Sequence, residues 1–81
     1  MEPYKTSDTP FAAYLHLKGM ILLDTIPDNA DPNREIFVFI DDANRPTYEA
    51  EYRSGTDLVS AREYYLAHKH VLRHIKKIKK Q

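Results

Sequence analysis

The stretch Met20–Asp42, "MILLDTIPDNADPNREIFVFIDD", decides the fold. Its two ends, "MILLDTI" and "REIFVFIDD", are rich in Ile, Leu, Val and Phe and too short for isolated helices, so they read as strands. The "PDNADPN" between them holds two prolines and four Asp/Asn, a turn composition. An antiparallel hairpin is the simplest connection. In the second strand Ile36, Val38 and Ile40 alternate with Phe37 and Phe39, so both faces are apolar. One face must pack on helices. The other needs the last helix or a second copy of the chain.

On either side of the hairpin the apolar spacing turns helical. "TSDTPFAAYLHLKG" predicts a short helix capped by Ser7 or Thr9, with Asp8 at the positive dipole end, Pro10 in the first turn and Gly19 as the left-handed stop. Phe11 to Leu15 and Leu17 make it apolar over most of its circumference, as in a helix buried on several sides. "PTYEAEYRSG" predicts a second helix, with Asn44 as cap and Ser54-Gly55 as stop. A last helix is expected from Thr56-Asp57 to about Lys80, with Leu58, Ala61, Tyr64, Tyr65, Ala67, Val71, Leu72, Ile75 and Ile78 at spacings of three and four. The expected fold is α+β in the order α-β-β-α-α: one domain over residues 1–81, a two-stranded hairpin on helices, and a long C-terminal helix. Such a last helix would be about 36 Å long against a domain about 30 Å across, so residues 77–81 are expected to be a frayed basic tail.

At 81 residues without a cysteine, the chain has neither disulfides nor thiolate metal ligands. No apolar run approaches a membrane span, and "MEPYKTSDTP" lacks the features of a signal peptide, so a cytoplasmic protein is expected. A two-stranded sheet with free edges is marginal alone, which points to a homodimer with Phe37, Phe39, Tyr65 and Leu72 as interface residues.

Net charge is zero, but its placement is uneven. Twelve acidic and six basic residues leave positions 1–67 at −6, while Lys69, Arg73, Lys76, Lys77, Lys79 and Lys80 give positions 68–81 a charge of +6. Arg62, Lys69, Arg73, Lys76, Lys77 and Lys80 fall on one broad side of the last helix. A cationic stripe of this kind suits a nucleic-acid backbone, because each Lys or Arg can release a condensed counterion. It equally suits a solvated helix end whose charges oppose the dipole, with a protein partner on the apolar side.

Other constellations are weaker. His70 and His74 stand at i, i+4, a zinc spacing that still lacks a third ligand, and Glu63 is about 10 Å from His70 along the axis. "PDNADPN" does not match a calcium loop. No glycine-rich phosphate loop or nucleophile–base pattern is present. The expectation is no metal, no cofactor and no enzymatic activity.

Several segments together resemble a known family. They are "TSD" (residues 6–8), "AAYL" (12–15), "KGMILL" leading into a strand, "IFVFID", "YRSG" before the last helix, "LVSAREY" and "LRHIKK". From Tyr4 to Lys77 the chain is similar to domain of unknown function 5659. The resemblance implies a small α+β domain, often phage-encoded. It implies no activity and supplies no catalytic residue.

Overall fold

A computed structural model describes residues 3–28, 30–31, 34–55 and 57–79, with side chains through His74. The hairpin forms as expected: β2 (Leu22–Pro27) pairs antiparallel with β3 (Glu35–Phe39), matching Thr25 to Phe37 and Ile26 to Ile36. A bulge between Leu22 and Asp24 pushes Leu23 out of the ladder. The sheet has a third strand, β1 (Tyr4–Thr6), on the far side of β3, giving the order β1-β3-β2. The two-stranded expectation is therefore corrected to three. Lys5 pairs with Val38, and the central strand has both edges occupied. "YKT" has too little alternation to announce a strand; it becomes one by lying along β3.

The first helix, α1 (Thr9–Leu17), is held at both ends by backbone chemistry. Its cap is Asp8, not Ser7 or Thr9: the carboxylate accepts from the Phe11 N–H at 3.2 Å. At the other end the Gly19 N–H donates to the His16 carbonyl and the Met20 N–H to the Leu15 carbonyl. This closure needs Gly19 at φ +101°, a left-handed conformation that costs glycine least. Between the caps five consecutive residues, Phe11 to Leu15, are buried. They meet Phe37 and Phe39 from β3, Met20, and Val71 from α3 (Ala61–Lys79) in a single core. Phe37 and Phe39, expected at an interface, are fully buried within the single chain instead. The inward face of β3 is the Phe face, and Ile36, Val38 and Ile40 point away from the helices.

The second helix, α2 (Arg45–Ser54), starts where expected, with Asn44 at the N-cap position, but the Asn44 side chain makes no cap hydrogen bond; in the preceding turn the Asp42 carboxylate accepts from the Asn44 N–H at 2.8 Å. An ion-pair ladder runs along it, Asp41–Arg45–Glu49–Arg53, with contacts of 3.1, 3.3 and 2.8 Å. Gly55 at φ +70° ends it.

α3 begins at Ala61, not at Thr56-Asp57. Ser60 caps it, its hydroxyl accepting from the Glu63 N–H at 3.3 Å. Asp57 is drawn away by long-range partners: its carboxylate accepts a hydrogen bond from the Tyr14 hydroxyl and pairs with Lys18 Nζ at 2.9 Å. Leu58, expected to be an apolar helix position, is consequently 95% exposed. Nineteen residues span roughly 28 Å. That fits within the 37 Å long dimension of the molecule, so the expected length mismatch disappears. Backbone helix runs through Lys79. The side chains from Ile75 onward, and residues 80–81 altogether, lie outside the described residues.

Candidate nucleic-acid interface

Burial of Ala67 and Val71 fixes which way α3 faces. At about 100° per residue, Arg62, Tyr65, Leu66, Lys69 and Arg73 fall within an arc of about 100° on the opposite side. All five are exposed, Tyr65 by 58% and Leu66 by 51%. From Arg62 to Arg73 the stripe is roughly 16 Å long. Lys69 Nζ sits 5.5 Å from the centroid of the Tyr65 ring, so an ammonium and an aromatic plane share one patch.

The electrostatic state of these cations differs from that of Lys18, Arg45 and Arg53 in the body, though not from that of Lys5 and Arg34. Lys18, Arg45 and Arg53 each hold a carboxylate within salt-bridge distance. None of the salt bridges among the described residues involves Arg62, Lys69 or Arg73. Of the six cations read from sequence, the fold thus brings three together on one open face. Lys76 and Lys77 continue the same helix with side chains outside the described residues, and Lys80 lies outside them entirely. Of the expected interface residues on this helix, Tyr65 is exposed and Leu72 is half-buried.

Beside the stripe, where α3 passes the end of α1, an open cleft of about 480 Å³ is lined by His16, Glu63, Lys69, His70 and Arg73 among others. His16 is the member that the sequence did not reveal, because 54 residues separate it from His70. The two rings stack with centroids 4.1 Å apart and planes 6° from parallel, and His74 follows with its centroid 5.2 Å from that of His70. Burial, then the neighbouring His70 and His74, lower the pKa of His16 below the ordinary imidazole value. Face-to-face imidazoles aim their in-plane lone pairs side by side, not at one point, so this stack is not a chelating geometry. Among the described residues no group of three His, Cys, Asp or Glu is placed to hold a metal ion.

The remaining aromatics pack within the chain. Tyr48, Tyr52 and Tyr64 pack partly buried against the core, and Tyr64 donates to the Pro10 carbonyl at 3.0 Å, tying α3 to α1. Arg45 lies 4.4 Å over the Tyr4 ring and joins α2 to β1. Among the described residues no helix is long and apolar enough to cross a membrane.

No curated protein and no solved structure matches the chain. Over its whole length, residues 1–81, it matches the family described as Domain of unknown function (DUF5659). The α+β architecture agrees with what the short motifs implied, and this chain belongs to that family.

Proposed function

We infer that this chain is a small non-enzymatic accessory protein of the kind carried by phages and mobile elements, that it works in the cytoplasm as a homodimer, and that it binds the nucleic-acid backbone through the outer face of α3. The observation that carries this reading is a cluster of open cations. Arg62, Lys69 and Arg73 stand exposed together on one face and take part in none of the described ion pairs, while Lys5 and Arg34, also outside those pairs, lie elsewhere in the chain. Cations held open in this way gain most from a polyanion, because binding releases the counterions condensed on it. Tyr65 within the stripe adds a ring on which an unpaired base can stack.

Salt titration of binding to duplex DNA and to single-stranded RNA tests this. The log–log slope should be near −0.9 per neutralised phosphate on duplex. The triple variant R62Q/K69Q/R73Q should lessen it by about 2.7. A slope unchanged by the triple variant removes the reading.

A second reading is favoured by one observation: Tyr65 and Leu66 present adjacent apolar surface on the same face. A protein partner docked there would be held mainly by apolar anchors. Its binding would then vary little with salt and survive nuclease treatment of a lysate.

A further inference from the structure

The outward face of the sheet is apolar in the middle and oppositely charged at its two sides. Ile36 and Val38 on β3 and Ile40 just after it are flanked on β2 by Ile26 and, just before that strand, by Ile21. None of the five is fully buried; Ile21 is 59% and Ile40 43% exposed. The row through Val38 reads Lys5 on β1, Val38 on β3, Asp24 on β2. Residues directly opposite in a ladder point to the same face, so the cation, the valine and the carboxylate share one surface, with Lys5 and Asp24 about 10 Å apart. Both are exposed, and neither takes part in an ion pair among the described residues. Among the described residues Asp24 accepts only from the adjacent Thr25 N–H, at 2.8 Å.

We propose that this face is the self-association surface, with a two-fold axis lying along β3. The inference rests on the homodimer part of the reading above and not on nucleic-acid binding. A two-fold contact must be self-complementary. Rotation about an axis along β3 carries each β1 onto the other copy's β2, so Lys5 of one copy lies over Asp24 of the other, twice. Val38 meets its own counterpart at the centre. An axis running across the strands would instead set Lys5 over Lys5 and Asp24 over Asp24, so the charge pattern selects one of the two arrangements. Sheets stack about 10 Å apart, a gap that an extended lysine and an aspartate bridge between them. The footprint is small, roughly 14 Å across three strands and about 17 Å along five residues. That falls short of the ~800 Å² per partner of a standard interface, so the association is weak and dependent on concentration.

Sedimentation equilibrium of the full chain, at low salt and up to about 1 mM, tests the proposal. The wild-type chain should pass from monomer to dimer. Lys5→Glu and Asp24→Lys should each raise the dissociation constant about tenfold, and the double variant K5E/D24K should bring it back near the wild-type value. Ile40→Ser should also weaken the dimer; should that variant fail to fold, the exposed Lys5 and Asp24 reversals still decide. A monomer at every concentration overturns the homodimer itself. A dimer indifferent to the reversals leaves the homodimer standing and overturns this face as its surface.

Discussion

The ring of His16 lies flat against the ring of His70, 4.1 Å between centroids, and so joins the end of α1 to the middle of α3. Two imidazoles held this way cannot both be protonated without repulsion, and Lys69 and Arg73 add positive charge nearby, with the Glu63 carboxylate opposing it in the cleft.

Acid should therefore loosen the α1–α3 contact. The pKa of His16 is lowered in the fold relative to the unfolded value of about 6.5. Its contribution is present above that value and is lost as pH falls through the folded pKa, because the unfolded chain then binds the extra proton. Thermal melts should show a constant midpoint from pH 8 to 7 and a fall that begins below about 6.5. His16→Gln should flatten that part of the profile. An unaltered profile in the variant would place the acid sensitivity elsewhere.

Asp57 supplies a second, separate acid limb. Hydrogen bonds from Tyr14 and then from Lys18 hold its carboxyl below the usual aspartate range. Stability from this group is full above the unfolded carboxyl pKa near 4 and disappears as pH drops through the folded value. Tyr14→Phe removes the larger of these two contributions. It should cost about 1 kcal/mol at neutral pH and move the Asp57 titration, followed by carboxyl NMR, upward toward the ordinary value.

Two leucines should behave in opposite ways. Leu15 is fully buried and Leu58 is 95% exposed. Leu15→Ala should destabilise the fold by about 2–5 kcal/mol in denaturant unfolding. Leu58→Ala should stay within about 0.5 kcal/mol of wild type, since its apolar side chain packs on nothing that is lost. A large cost at Leu58 would mean that the last helix starts earlier than Ala61.

Tyr65 and the cations around it should separate in their effects on nucleic-acid binding. Tyr65→Ala should weaken binding to single strands by about 1–3 kcal/mol per stacked base and leave the salt slope unchanged. Duplex binding should be affected less, because paired bases offer no free face.

Local chemistry was legible in the sequence where a segment's own residues settle its shape. The hairpin, the α1 span with its Gly19 stop, and the end of α2 at Gly55 all follow from alternation, helical spacing and left-handed turns. What escaped depends on distant partners. Asp57 looks like a helix start until Tyr14 and Lys18 claim it from 43 and 39 residues away, which leaves Ser60 to cap α3. Alternation in "IFVFI" shows two apolar faces but not which one the helices cover, so Phe37 and Phe39 read as interface residues until α1 and Val71 are placed against them. Arg62, Lys69 and Arg73 were visible as a stripe, because one helix carries them. His16 was not, because another helix does.

The position of β1 has a consequence for the order of events during synthesis. Tyr4–Thr6 leaves the ribosome before β3 does, yet its strand partner among the described residues is the edge of β3 at residues 37–39. At about 5–20 residues per second, the N-terminal segment waits roughly 2–7 s before that edge exists. The β2–β3 hairpin, by contrast, can close within about 1–10 μs once both its strands are out. Residues made before the hairpin are thus secured after it. Until they are, the nascent chain shows an open strand edge that a neighbouring copy could occupy in their place.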